Sequence, residues 1–273
     1  MFGITALGVK AEQTVNAMPR VAIVTGASRG IGRGVANELA NQGWDVFATG
    51  RSVADARLPQ SVRRLTCDHT SDGAVAEVFA EVRHETGRID VLVNGVWGGY
   101  ERMVEDGRFT WGDPFWLQPM WRWEGMMGAG ARAAFVASQH AAAGMVDAGR
   151  GLIVHLSHWA AQKHLGNTIY GISKAATDKM AADMAQELKE HNVVVVSLYP
   201  GLVRTEAVLS AGVFDLSNSE SPEFIGRAVA ALAEDDGASR HSGKALVVAD
   251  LANEYGFADI DGKQPHALTL ADV

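Results

Sequence analysis

The sequence predicts one α/β domain built on a doubly wound, mostly parallel sheet. Short apolar runs suited to buried strands alternate with helix-spaced stretches seven times, and this demands parallel strands joined by right-handed crossovers. The first of these strands leads into a glycine-rich turn and then a helix-spaced run. With 273 residues, 47% of them hydrophobic, the chain can bury one large core.

RVAIVT at 20–25 reads as the first strand and GASRGIGRG as the turn after it, with Gly26, Gly30 and Gly32 spaced G-x-x-x-G-x-G. Glycine suits a turn where backbone must approach a pyrophosphate, and the helix behind it presents N–H groups and a positive dipole end. The turn alone is weak evidence in a chain with 30 glycines, and a plain turn is the alternative; its place after the first strand gives it weight. A second strand, 45–49, ends in Gly50-Arg51. An acid at that strand end would bind the ribose 2′-hydroxyl of NAD; here an arginine stands instead, and Arg29 in the turn can reach the same place. This favours NADP(H) over NAD(H), against the alternative that both arginines are merely exposed. The third strand, 62–66, ends at Cys67-Asp68, where Asp68 either accepts from an adenine amino group or caps the next helix, 72–86. A fourth strand spans 89–94.

Residues 95–123 then break the pattern and hold Trp97, Trp111, Trp116, Trp121 and Trp123. A long segment after a strand's C-terminal end suits an aromatic-walled substrate pocket, and a satellite core or subunit contact suits it equally. An alanine-, glycine- and methionine-rich helix follows at 124–148, a fifth strand at 151–157 and a helix running to about 191. A sixth strand, 193–201, closes on Pro200-Gly201; a helix at 221–235, a final strand at 244–250 and a polar tail complete the chain. Tyr170 and Lys174, at i and i+4, point to one helix face, and Ser157 lies at the fifth strand's end. A phenol, an ammonium and a hydroxyl converging there make a proton-transfer site.

The net charge of −8 argues against a nucleic-acid partner. Cys67 is the sole cysteine, so no internal disulfide forms, which fits a reducing, cytoplasmic setting. No apolar run of 18 residues suggests a transmembrane helix. Residues 1–18 read as a disordered extension, with a mild transit peptide the lesser alternative. His155, His158 and His164 cluster near Ser157 without the spacing of a common zinc motif, so no metal is expected; His155 reads as a strand residue and His158 or Trp159 as a substrate contact.

TGASRGIG at 25–32, Asp68, VNG at 93–95, Ser157, YGISK at 170–174 and PGLVRT at 200–205 together resemble the short-chain dehydrogenase/reductase family over about residues 19–262, leaving 263–273 as a C-terminal tail. The aromatic insertion, SPEFIGRAVAAL and DLANEYGFADIDGK further resemble its dehydrogenase/reductase member 1 branch. The resemblance implies a Rossmann-type three-layer sandwich with seven strands in the order 3-2-1-4-5-6-7, and catalysis by Ser157, Tyr170 and Lys174. Tyr170 would be the acid and base, Ser157 the hydrogen-bond donor to the substrate oxygen, and Lys174 the cation that lowers the phenol's pKa. It implies a nicotinamide cofactor held by Gly26, Ser28, Arg29, Gly30, Ile31, Gly32, Arg51, Asp68, Asn94, Gly95, Tyr170, Lys174, Pro200, Gly201, Val203 and Thr205. Within that set Asn94 and Gly95 would line the adenosine ribose, and Val203 and Thr205 the carboxamide. The expected reaction interconverts a small hydrophobic carbonyl, such as a steroid or xenobiotic, and its alcohol, in a homodimer or homotetramer. The alternatives are an NADP-sensing protein with impaired catalysis, and epimerisation or dehydration on the same fold. Two departures stand out: Ala129 replaces the asparagine that the family uses in a water relay to the lysine, and Trp97 replaces the last glycine of the loop after strand four.

Overall fold

In a computed structural model, residues 19–273 are described; the disordered extension expected at 1–18 lies outside them. Seven strands form one sheet: β1 (Val21–Thr25), β2 (Asp45–Gly50), β3 (Arg63–Thr66), β4 (Val91–Asn94), β5 (Gly151–Leu156), β6 (Val193–Tyr199) and β7 (Ala245–Val247). Their order is β3-β2-β1-β4-β5-β6-β7 and every adjacent pair is parallel. This is the doubly wound Rossmann-type sandwich expected from the sequence.

The helices are α1 (Gly30–Asn41), α2 (Asp72–Thr86), α3 (120–148), α4 (Thr168–Leu188), α5 (Glu206–Ala211), α6 (Pro222–Glu234) and α7 (Val248–Tyr255). Period-two alternation sorts the strand side chains between two cores. Ala22, Val24, Val46, Ala48, Val91 and Val93 pack with residues of α1, α6 and α7. Val21, Ile23, Phe47, Leu92 and Ile153 face the other way, onto α2, α3 and α4. Buried on both faces, the strands read as continuous apolar runs.

Several boundaries differ from the sequence reading. The last strand ends at Val247, and 248–250 begin α7, whose Val248, Ala249, Leu251 and Ala252 are buried at helical spacing. β4 starts at Val91 rather than 89. α2 is capped by Ser71, whose hydroxyl accepts from the Ala74 N–H, and not by Asp68, which instead accepts from Thr70 in a tight local turn. The segment 95–123 is also more ordered than a loop. Val104–Glu105 pairs antiparallel with Arg108–Phe109 across Asp106-Gly107, both at positive φ, a two-residue hairpin of the Asp-Gly kind. α3 begins at Met120 and carries a π-helical stretch, Glu124–Arg132, before the regular Ala133–Ala148. The tail folds back: the His266 N–H donates to Asn218 Oδ1 at 2.7 Å, and Lys163 Nζ donates to the Leu270 carbonyl at 3.4 Å.

His69 and His155 are buried, and burial pushes both imidazoles down to about 4, with Asp68 partly opposing this at His69. Below about pH 6.5 the unfolded chain therefore binds protons that the folded chain refuses, so stability is full above that pH and is lost as pH falls toward 4. The urea midpoint is expected to fall between about pH 7 and pH 5, and to fall less steeply in His155→Gln. An equal slope in the variant would exclude His155 as a source of the acid sensitivity.

Candidate active site

The parallel register brings the predicted residues to one edge. Thr25 pairs with Asn94, Asn94 with His155, and Leu156 with Leu198, so Gly26, Gly95, Ser157 and Pro200 follow at neighbouring strand ends. Ligands of open α/β sheets bind along such a C-terminal edge.

The glycine turn is built for close backbone approach. A Cβ on Gly26 would lie 2.4 Å from the Gly95 carbonyl oxygen, and one on Gly32 would lie 2.5 Å from that of Gly26. Thr205 reaches over Gly30, so the segment after β6 covers the turn from above. The Gly30 N–H donates to Glu206 Oε2 at 2.9 Å, while Glu206 Oε1 pairs with Arg33 at 2.8 Å. A carboxylate on the first N–H of α1 shows that this end accepts an anion, as a dinucleotide pyrophosphate requires. Arg29 lies 3.6 Å from Glu101, and the field of Arg51 is felt at Asp68, whose carboxyl is held low chiefly by its bonds to Thr70. A shallow cavity of about 440 Å³ beside the turn is lined by Ser28, Arg33, Asp55 and Arg57 among others.

The Asn94 side chain is buried at the end of β4. Its Nδ2 donates to Ser138 Oγ at 3.0 Å and lies 3.3 Å from His155 Nδ1, so its side chain braces β4 against α3 and β5. Val203 pairs in register with Glu220, and the Thr205 hydroxyl caps α5 by accepting from Val208. Glu220 is buried beneath Gly201, and burial raises its carboxyl to about 7.

Ser157, Tyr170 and Lys174 come together where β5 meets α4, and all three are buried. Asn167 caps α4 by accepting from the Tyr170 N–H at 3.0 Å, and its Nδ2 donates to the Trp111 carbonyl at 2.8 Å, tying the aromatic insertion to the helix that carries Tyr170 and Lys174. Lys174 Nζ donates to the Leu156 carbonyl at 3.0 Å and stands 5.6 Å from the Tyr170 ring centroid. The Ser157 hydroxyl donates to the Lys174 carbonyl at 3.3 Å. Burial drives the lysine down to about 7, with Asp178 one turn on opposing it. Burial also drives the Tyr170 phenol well above its ordinary value, and the adjacent Tyr100 phenol pushes the same way. Burial and Tyr100 thus act against the lowering of the phenol expected from Lys174.

Aromatic rings wall the phenol. Trp97, Trp111 and His158 have ring centroids 5.8, 5.3 and 5.7 Å from that of Tyr170, and Tyr100 lies at 6.2 Å. Of the two residues expected beside a substrate, His158 is here, whereas Trp159 packs on Tyr199. Arg122, fully buried, holds the insertion in shape by donating to the Thr110 and Arg102 carbonyls and to the Thr110 hydroxyl. Among the described residues, no three His, Cys, Asp or Glu side chains are grouped to hold a metal, and no helix is long and apolar enough to cross a membrane.

The family description "short chain dehydrogenase" matches residues 20–212. The chain belongs to the short-chain dehydrogenase/reductases. Within them it falls in the dehydrogenase/reductase member 1 branch: it is 40% identical to mouse dehydrogenase/reductase SDR family member 1 and 38% identical to the human protein, in each case over 89% of this chain and 84% of the relative. Its fold also matches a short-chain dehydrogenase/reductase of unknown function from Caenorhabditis elegans, solved with cofactor, at a TM-score of 0.69 and 24% identity, covering 84% of this chain and 93% of that one. This short-chain dehydrogenase/reductase is accordingly an oxidoreductase. Sequence reasoning missed Glu206, Tyr100 and Arg122 in its site. Only Glu206 carried a signal, an acid directly after the PGLVRT segment.

Because Glu206 takes the N–H that a pyrophosphate would use, Glu206→Ala is expected to bind reduced nicotinamide dinucleotide about three- to fivefold more tightly, the size of one anion–helix-end contact. Titration of cofactor fluorescence checks it, and weaker binding would show that Glu206 assists the cofactor instead.

Proposed function

We propose that the enzyme is NADP(H)-dependent and interconverts a carbonyl and an alcohol on a small hydrophobic molecule, such as a steroid or xenobiotic carbonyl. The observation that carries the reading is the convergence of Tyr170, Lys174 and Ser157 beside a turn that accepts an anion. A nicotinamide cofactor bound along this edge supplies the hydride. In the reducing direction Tyr170 gives its hydroxyl proton to the carbonyl oxygen, and Ser157 turns its hydroxyl to the same oxygen, where negative charge develops. Lys174 in its ammonium form stabilises the phenolate left on Tyr170; at about 4–5 Å and an effective dielectric near 20 that field is worth roughly 3–4 kcal/mol before screening. Trp97, Trp111 and Tyr100 exclude water around the phenol and favour an apolar substrate.

The choice of NADP(H) rests on Gly50-Arg51 standing where an acid would select NAD, and on Arg29, Arg33 and Arg57 around the turn. The pyrophosphate belongs on the turn, Asp68 beside the adenine and the carboxamide against Val203 and Thr205. The reading includes a reducing cytoplasmic setting for the buried Cys67 thiol and a homodimer or homotetramer, for which exposed Phe135 on α3 and Ile172 on α4 offer apolar surface. A second reading, a nicotinamide-sensing protein with little turnover, is favoured by the raised Tyr170 phenol and its Tyr100 contact.

A panel of hydrophobic ketones and alcohols assayed with NADPH and NADH in parallel separates these readings. Turnover with NADPH preferred at least tenfold is expected, and Arg29→Ala/Arg51→Ala should remove most of that preference. Tyr170→Phe should abolish turnover while NADPH still binds. Tight binding without turnover across the panel would favour the sensing protein, and retained turnover in Tyr170→Phe would remove Tyr170 from the chemistry.

A further inference from the structure

The Lys174 ammonium is buried and has an unusual set of partners. Among the described residues no carboxylate lies within ion-pairing distance of it. One N–H goes to the Leu156 carbonyl, and the cation stands 3.9 Å from the centroid of the Trp97 ring. That is close, face-on cation–π geometry in a desolvated place, where the attraction is strongest. The same indole packs on Tyr170 with an interplanar angle of 83°, so one side chain touches both the phenol and the ammonium.

The room for the indole comes from the π-helical part of α3. A Cβ on Gly130 would sit 2.9 Å from the Trp97 ring. A Cβ on Gly98 would sit 3.3 Å from that of Ala129 and 3.0 Å from the Gly125 carbonyl oxygen. Small residues at 125, 129 and 130 therefore let the loop after β4 lie against the helix. Trp97 and Ala129 thus lie at neighbouring places in this packing, the indole against Gly130 and Gly98 against Ala129.

We infer that Trp97 is a positioning residue for the reaction, its indole face holding the Lys174 ammonium in place and charged beside Tyr170 in the space that Ala129 and Gly130 leave open. This rests on the carbonyl–alcohol reading of the site. The other titratable groups near the ammonium are Tyr170 and Asp178 on its own helix, His158 after β5 and Tyr100 on the insertion; Asp178 in turn accepts from Tyr199 of β6. Asp178 favours the charged lysine and burial opposes it, and the indole face adds to the side of the charge.

The test follows the Lys174 ammonium by heteronuclear NMR of labelled lysine, assigned with Lys174→Arg, in the full chain. Trp97→Leu is expected to lower the proton affinity of Lys174 about tenfold, the scale of a desolvated cation–π contact. Trp97→Phe keeps a ring face and should retain most of it. Gly130→Ala leaves the indole present but crowds it, and should move the titration in the same direction by less; the melting transition of each variant separates a shifted titration from loss of the fold. In alcohol oxidation, less ammonium means a higher phenol pKa, so the rising limb of the pH profile should shift to higher pH in Trp97→Leu and stay in Trp97→Phe. Unchanged Lys174 titration in both Trp97→Leu and Gly130→Ala overturns the inference, as does a loss in Trp97→Phe equal to that in Trp97→Leu. A shifted titration in a protein without turnover upholds the indole's hold on Lys174 and removes only the carbonyl–alcohol reading.

Discussion

The site depends on one costly placement, a lysine ammonium sealed between a strand end and a helix. Removing such a charge from water costs several kcal/mol, and only well-placed partners offset it. Those partners come from separate parts of the chain: the Leu156 carbonyl at the end of β5, the Trp97 ring on the loop after β4 and the field of Asp178 on α4. Each fixes one element against another. α4 must dock with Lys174 facing β5, which the Asn167 cap secures at its first turn. The loop after β4 must lie flat on α3, which the small residues of the π-helical segment allow. Tyr170 is then placed by its neighbours as much as by its own contacts.

The same chemistry with opposite sign operates at the glycine turn. There an N–H and two arginines draw carboxylates, Glu206 to Gly30 and Arg33, and Glu101 to Arg29. On the proposed reading the protein's own anions sit where the cofactor phosphates would bind, and α5, which carries Glu206, would respond when they compete. The Tyr170 phenol tells a parallel story. Its raised pKa comes from desolvation and from Tyr100, and both depend on how closely the insertion packs over it. Proton affinity in this site is therefore coupled to the position of the segment around Trp97 and Tyr100.

The sheet was legible because its strands are buried on both faces, so VAIVT, VLVN and VVVVSLY read as strands without context. The turn, Ser157, Tyr170 and Lys174 were legible because they are close in sequence to elements with strong signals. What escaped was long-range or local in a different way. Val248–Tyr255 begins with apolar residues that continue the strand pattern, and only its burial against the α1 and α6 layer shows it to be helical. The Asp106-Gly107 hairpin carried a readable signal that the tryptophan-rich composition around it masked. Arg122 reads as a surface residue, and its role appears only when the carbonyls of Arg102 and Thr110 are brought to it. Asn94 can be placed at a strand end from the sequence, but its partners Ser138 and His155, 44 and 61 residues away, cannot.

A crystal structure of the enzyme with NADPH is the most direct test of this arrangement. The pyrophosphate should take the Gly30 N–H from Glu206, the arginines at 29 and 51 should approach the 2′-phosphate, and Trp97 should keep its face to Lys174 with the Tyr170 hydroxyl turned to the nicotinamide side. A complex in which Glu206 stays on Gly30 and the cofactor lies elsewhere, or in which Tyr170 remains sealed behind Tyr100 away from the nicotinamide, would contradict it.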